Sequence, residues 1–249
     1  MDPFHQYLLH LADCPLILGQ RLGEWCGHGP VLEQDIALTN ISLDLIGQAR
    51  LLYQYAATRS GQNADEDSLA MLRYEHEYLN SLLVEQPNKN FGHTIVRQFF
   101  YDAFNLLQYE NLTVHPDETL KNIAIKTLKE IKYHYRYSSE WMLRLGDGTE
   151  TSHQFIQEGV NELWKYTGEL FAMSGYENAL LEKNYALDLK AIEPHWQEKI
   201  DNVFAEAGIK KPEKEVFLTG GKEGKHTEHM GYILTELQYM QRTYPSMKW

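Results

Sequence analysis

Two residues in the longest helical pattern of the chain could bind a metal ion. Glu130 and His134 lie four residues apart within the stretch 124–145, so a helix places them on one side. They stand beside an apolar stripe whose steps of three and four residues are typical of a buried helical face. A carboxylate and an imidazole in this arrangement could contribute to a metal site inside a helical bundle.

Two acids in other predicted helices could complete such a site. Asp44 lies in a helical pattern over 31–58 that is apolar almost all round, which predicts a helix buried in the interior. Asp102 lies within the apolar face of a pattern over 91–112. In di-iron carboxylate bundles, one helix of each pair supplies a single Glu or Asp, and the other supplies Glu-x-x-His. Asp44 and Asp102 are therefore candidates for the single carboxylates.

The second helix of such a bundle should carry Glu-x-x-His, but the motif fails there. The pattern over 65–85 contains Glu75 and His76, yet Arg73 occupies the position three residues before the histidine. A guanidinium cannot ligate a cation. Arg73 could instead neutralise buried carboxylates in place of metal ions, because an unpaired buried charge is costly.

The motif also fails in the helix that carries Glu130 and His134. The residue three positions after Glu130 is Tyr133, and the residue three positions before His134 is Ile131. Two Glu-x-x-His matches elsewhere in the chain fall at loops that flank predicted helices, so we interpret them as chance matches.

Three interpretations of these polar residues remain. They form a structural network in a metal-free core, or a non-standard metal site on Glu130 and His134, or they lie on solvated helix faces. The failure of both Glu-x-x-His pairs favours the structural network, as the remains of a di-iron site. The residues assigned to that former site are Asp44, Arg73, Glu75, Asp102, Glu130 and His134.

Composition limits the class of protein and its partners. The 249 residues carry a net charge of −12, which disfavours nucleic acid as a partner because phosphate binding needs concentrated Lys and Arg. Cys14 and Cys26 lack metal-binding spacing and are predicted to be reduced thiols. No leader pattern and no run of about 18 apolar residues is found, so we expect a cytoplasmic protein that does not cross a membrane.

The periodicity predicts an all-α fold. Four long helices joined by short connections favour an antiparallel bundle, with the other helices packed around it in a single domain over residues 1–249. The predicted helices cover residues 4–22, 31–58, 65–85, 91–112, 116–145, 152–173, 189–207 and 226–244.

A polar segment over 209–225 is predicted to be a long surface loop. Its end, GGKEGKHTEH over 220–229, could approach a phosphate or a partner, because glycine backbone comes close and lysine supplies point charges. A surface loop that caps the last helix, at a subunit interface, is the favoured interpretation. The residues proposed for partner or ligand contact are Lys222, Lys225, His226 and His229.

Four long blocks of the chain are similar to one known family. In order, they cover residues 21–50 (RLGEWCGHGPVLEQDIALTNISLDLIGQAR), 83–91 (LVEQPNKNF), 131–149 (IKYHYRYSSEWMLRLGDGT) and 219–242 (TGGKEGKHTEHMGYILTELQYMQR). They resemble PaaC, the family of C subunits of the bacterial phenylacetyl-CoA 1,2-epoxidase. The resemblance runs from near residue 5 to the end of the chain.

The resemblance implies a fold and a role. It implies a ferritin-like fold, and a complex that epoxidises the ring of phenylacetyl-CoA with dioxygen and electrons from a flavin and iron–sulfur reductase subunit. It also implies that the A subunit holds the di-iron centre, while this chain is a non-catalytic structural subunit without a cofactor. The alternatives are that the chain is itself a di-iron carboxylate oxygenase with a non-standard site, or a CoA-thioester-binding module.

Overall fold

The computed structural model describes residues 2–61, 64–213, 216–245 and 247, and all regular structure within these ranges is helical. The predicted all-α class is confirmed. In chain order the helices are α1 (Pro3–Gly23), α2 (Leu32–Arg59), α3 (Glu66–Met71), α4 (Phe91–Leu112), α5 (Glu118–Gly146), α6 (Glu150–Leu163), α7 (Gly168–Phe171), α8 (Gly175–Leu181), α9 (Leu189–Ala207) and α10 (Glu228–Thr243), with short 3₁₀ turns at Glu75–Glu77, Trp164–Tyr166 and Gly221–Glu223.

The chain divides into two compact units. The first consists of Met1–Pro87 and Gly220–Trp249, and the second consists of Asn88–Thr219. The first unit therefore contains α1, α2, α3 and α10, and the second contains α4 to α9. The single domain expected over residues 1–249 stays a prediction.

In the first unit, α1 and α2 form an antiparallel pair. Ser42 Oγ donates a hydrogen bond to the carbonyl oxygen of Gly19 at 2.7 Å, and a Cβ at Gly19 would lie 3.1 Å from Ile46 Cγ1. The absence of a side chain at this glycine thus lets the two helices approach closely. Nearer the start of α1, Tyr53 on α2 contacts Asp13, which fixes the opposite chain directions.

Two predictions about the first unit are wrong. The helix expected over 65–85 ends at Met71, and residues 78–86 form a buried segment without α-helix. Helix α2 is not enclosed by the protein, because three of its apolar side chains are more than half exposed: Leu32, Ile36 and Leu43.

In the second unit, the long helices follow the predicted pattern. Asn90 Oδ1 accepts a hydrogen bond from the backbone N–H of His93 at 2.8 Å, which caps α4 as its sequence predicts. Asp117 caps α5 in the same way, through the N–H of Leu120 at 2.9 Å. The helix expected over 152–173 is broken after Leu163 into a 3₁₀ turn and α7, and α8 was not predicted.

The core of the second unit is aromatic. The indole Nε1 of Trp196 on α9 donates to the backbone carbonyl of Phe100 on α4 at 3.0 Å. Phe100, Trp164, Trp196 and Phe204 have ring centroids between 5.6 and 6.3 Å apart. This cluster anchors α4, which is buried along most of its length, and so fixes the position of its polar side chains.

Candidate functional site

Asp102 lies at the centre of a buried polar cluster between α4 and α5. Its side chain is almost inaccessible, with 1% of the residue exposed. One carboxylate oxygen accepts a hydrogen bond from Gln98 Nε2 at 2.7 Å, and the other accepts one from Ser138 Oγ at 2.8 Å. The four-residue spacing from Gln98 to Asp102 places both on one side of α4.

The environment of Asp102 favours its protonated form. Burial raises the pKa of this carboxyl to about 6, against the opposing effects of nearby His134 and of the hydrogen bonds from Ser138 and Gln98. His134 on α5 is fully buried, and Glu130, one turn earlier, is partly buried. The structure therefore brings together Asp102 and His134, the two predicted polar residues on the facing sides of α4 and α5.

This cluster does not fit a di-iron centre. Both oxygens of Asp102 accept one hydrogen bond from a neutral side chain, which leaves a second lone pair on each, so the misfit depends on the number of ligands nearby. Among the residues that the structure describes, no three His, Cys, Asp or Glu side chains lie close enough together to hold a metal ion. The chemistry available to the cluster is hydrogen bonding and the storage of a proton on Asp102.

Arg73 belongs to a separate polar cluster in the first unit. Its guanidinium forms a buried ion pair with Asp13 on α1, through two nitrogens and both carboxylate oxygens. The same guanidinium donates to the carbonyl oxygen of Glu77 at 2.8 Å and to Tyr53 Oη at 3.1 Å. Tyr53 in turn donates to Asp13. Positive charge, negative charge and hydrogen-bond donors are thus matched within the cluster.

The predicted network of Arg73 with four core acids is wrong in two respects. The carboxylate that pairs with Arg73 is Asp13, and Glu75 is exposed on a 3₁₀ turn instead of lining the core. Both errors have one cause. The prediction assumed a helix over 65–85, but the helix ends at Met71, so the side chains after Met71 do not follow the helical period. Asp44 lies on α2 and is partly exposed.

Asp13 was missed by the sequence analysis, although a signal was present. It is the one acid in the apolar run LLHLADCPLIL over 8–18. An acid inside a continuous apolar helix is buried by necessity, and it therefore requires a cation or several donors. The same logic applied to α4 did identify Asp102.

A second buried ion pair joins Glu85 to His226. The imidazole Nδ1 lies 2.8 Å from Glu85 Oε2, and Nε2 lies 2.9 Å from the carbonyl oxygen of Tyr78. Because a carbonyl only accepts, Nε2 carries a proton, and a proton on Nδ1 as well makes the ring a cation facing the carboxylate. Burial lowers the pKa of His226, but the hydrogen bond and charge of Glu85 outweigh it, so the pKa is raised.

The four residues proposed for partner or ligand contact occupy different environments. Lys222 is buried, and His226 is committed to Glu85, so neither presents its charge to a phosphate in solvent. The 3₁₀ turn Gly221–Glu223 packs inward against Asn80, and contact of these residues with a partner or a ligand stays a prediction. Lys225 is exposed, 4.0 Å from Glu223, and His229 is partly exposed.

The buried polar side chains of the first unit share one structural task. They satisfy the backbone of residues 78–86, which is buried, is not helical and makes turn hydrogen bonds of its own from the N–H groups of Val84 and Gln86. His10 Nδ1 lies 2.7 Å from the carbonyl oxygen of Leu79, Asp13 accepts from the N–H of Leu79 at 2.7 Å, and Arg21 donates twice to the carbonyl oxygen of Glu85.

Comparison with known proteins agrees with the sequence blocks. The family described as phenylacetic acid catabolic protein matches residues 1–249. The chain belongs to this family. It is 45% identical over 249 residues to the C subunit of the 1,2-phenylacetyl-CoA epoxidase of Escherichia coli (strain K12), with 100% of both chains covered. The resemblance found in the sequence is therefore confirmed.

The family assignment concerns the whole chain, including the segments that the sequence analysis misassigned. The phenylacetic acid catabolic family match covers α1 to α10 without interruption. Across the described residues, none of the helices combines the length and the apolar character needed to span a bilayer.

Proposed function

We propose that this chain is a non-catalytic structural subunit of a phenylacetyl-CoA epoxidase complex in aerobic phenylacetate degradation. The observation that carries the proposal is the 45% identity to the C subunit of such an epoxidase over the full length of both chains. In this proposal a cytoplasmic A-type subunit holds the di-iron centre, and a flavin and iron–sulfur reductase supplies electrons. This chain contributes no cofactor and supports the catalytic subunit.

The proposal includes a ferritin-like bundle. Each unit contains one antiparallel pair of long helices, α1 with α2 in the first and α4 with α5 in the second. Two antiparallel pairs of long helices are the components that such a bundle requires.

The chemistry of the buried acids supports a non-catalytic role. Asp102 uses both oxygens in hydrogen bonds to Gln98 and Ser138, and Asp13 is neutralised by Arg73. Each acid is thus hydrogen-bonded or paired with a cation by groups of this chain. Their effect is to fix helix positions, as expected of a subunit that provides a rigid surface for another.

Coexpression with the A-type subunit tests the proposal. We expect the two chains to copurify in a fixed ratio, and the iron of the complex to be unchanged by Asp102→Asn or Glu130→Ala in this chain. Stoichiometric iron in the isolated chain, lost in Glu130→Ala, would establish the alternative of a di-iron oxygenase. Saturable binding of phenylacetyl-CoA to the isolated chain, without association with the A-type subunit, would establish the binding module.

A further inference from the structure

One face of α2 carries apolar side chains that nothing in the described chain covers. Leu32, Ile36 and Leu43 are 72%, 51% and 61% exposed, and we call these three residues the α2 stripe. Steps of four and seven residues place them on one side of a helix. Together they expose roughly 300 Å² of mostly apolar surface, which is the size of the largest apolar patch on many single chains, and such patches are often functional.

A glycine on the same face adds a second, independent observation. Gly47 follows Leu43 by four residues and lies well inside the 28-residue helix α2, where glycine weakens a helix. A Cβ built at Gly47 would meet no atom within 4 Å, and its φ is not positive. Neither packing nor backbone conformation within this chain accounts for a glycine there. A bare helix backbone beside exposed leucines fits the close approach of another helix.

The charges around the stripe indicate which partner fits. Residues 32–49 contain Glu33, Asp35 and Asp44 but no Lys or Arg, in a chain whose net charge is −12. A second copy of this chain would bring like charges together. Charge complementarity instead favours a helix with Lys or Arg on either side of its apolar residues.

The pattern along α2 also disfavours antiparallel pairing with a second copy. Toward the end of this face, Arg50 and Gln54 replace the apolar residues and bind Glu66 on α3. An antiparallel two-fold pair of α2 helices centred near Leu43 would set Ile36 against Arg50 and Leu32 against Gln54. The apolar half of the face would then be covered by polar side chains.

We propose that the α2 stripe and Gly47 form the docking surface for a helix of the partner subunit, one whose apolar face is flanked by basic residues. The proposal rests on the proposed function, because it takes the A-type subunit as that partner. Gly47 admits the backbone of the partner helix, and the stripe supplies the apolar contact.

Binding of the purified A-type subunit to the full chain, measured by titration calorimetry at low and high salt, tests this surface. We expect Leu43→Lys to weaken association at least 100-fold and Gly47→Gln at least tenfold. Glutamine is a better helix former than glycine, so the second variant should melt no lower than the unaltered chain while binding worse. Val114→Lys, at an apolar residue that is 79% exposed in the second unit, is the matched control and should bind normally.

The outcomes separate the two proposals. If the unaltered chain binds and Leu43→Lys binds equally well, the docking surface is refuted while the proposed function stands. If the unaltered chain does not associate with the A-type subunit, the proposed function fails and the assigned occupant fails with it. If the unaltered chain forms a homodimer that Leu43→Lys does not form, and Leu43→Lys still binds the A-type subunit, then the α2 stripe contacts a second copy of this chain. That result would overturn the proposal.

Discussion

Replacing Asp102 with asparagine should stabilise the protein at neutral pH. The substitution keeps the shape of the side chain and removes a carboxyl whose buried charge is opposed mainly by desolvation. The amide can still accept the hydrogen bond from Gln98, and its NH₂ group can donate to Ser138 Oγ. That hydroxyl remains free to donate to the carbonyl oxygen of Tyr135, which lies 3.3 Å away.

The size and sign of the effect follow from the pKa of Asp102. The folded protein releases this proton near pH 6, whereas an unfolded chain releases it near pH 4. Between these pH values the folded state binds more protons, so the free energy of unfolding falls as pH rises. At about 1.4 kcal/mol for each pH unit, the full loss is about 3 kcal/mol above pH 7, and roughly half of it occurs between pH 5 and 7.5.

Urea unfolding of the unaltered chain and Asp102→Asn at several pH values measures this loss. The difference in unfolding free energy should shift in favour of the variant by about 1 to 2 kcal/mol between pH 5 and 7.5. New hydrogen bonds of the amide act at every pH, so they do not alter this change. Glu198→Gln, at an exposed carboxylate on α9, should show no such trend. A pH-independent difference, or a trend of opposite sign, would refute the reasoning.

Four further substitutions test the other buried groups. Asp13→Asn and Arg73→Met should each lower the unfolding free energy by about 3 to 5 kcal/mol, because each change leaves the other residue of the ion pair unpaired. The double variant should lose much less than the sum of the two losses, and additive losses in urea titrations would contradict the ion pair. Because the pKa of His226 is raised, the unaltered chain should lose stability as the pH rises from about 6.5 upward through that pKa, and His226→Gln should remove this loss. Equal slopes of unfolding free energy against pH in the two proteins would argue against a charged imidazole. Gly221→Ala should lower the unfolding free energy by about 2 kcal/mol or more and so lower the melting temperature, because the new Cβ would overlap the carbonyl oxygen of Asn80. An unchanged melting temperature would show that the turn can move.

The long helices of the second unit were predictable because their signals are local. Asn90 sits immediately before α4, and glycines 146 and 148 bracket the end of α5, so capping and periodicity agree. Asp102 could be assigned to a buried face for the same reason. Its hydrogen-bond donors could also be sought one turn away, and Gln98 was found there.

The segment after α3 was not predictable, because tertiary contacts decide its conformation. Its leucines repeat with a helical period, but Arg73 donates from Nε to the carbonyl oxygen of Leu69 at 2.6 Å and from Nη1 to that of Glu77. Asp13, which lies 66 residues before Leu79 in the chain, accepts a hydrogen bond from the N–H of Leu79. These bonds replace those that a helix would make, and no local pattern reveals them.

The exposed face of α2 was misassigned for a different reason. Apolar residues all around a helix predict burial, but the prediction does not say whether the chain itself or another molecule covers them. Leu32, Ile36 and Leu43 are the members of that pattern that the chain leaves exposed. In a protein that forms a complex, some apolar residues are buried within the chain and others are buried against a partner. Only the folded structure of the chain distinguishes the two groups.

Asp13 and Asp102 show two ways to bury an acid, with opposite consequences. Asp13 faces a guanidinium and two further donors, the Tyr53 hydroxyl and the Leu79 N–H, so its removal leaves the buried cation of Arg73 without its partner. Asp102 faces an amide, a hydroxyl and the imidazole of His134, which reduce the cost of burial without cancelling it. An acid that lowers stability at neutral pH, and that asparagine could replace, is not explained by folding. The pH dependence of Asp102→Asn measures that cost directly, and a former metal site at Asp102 stays a prediction.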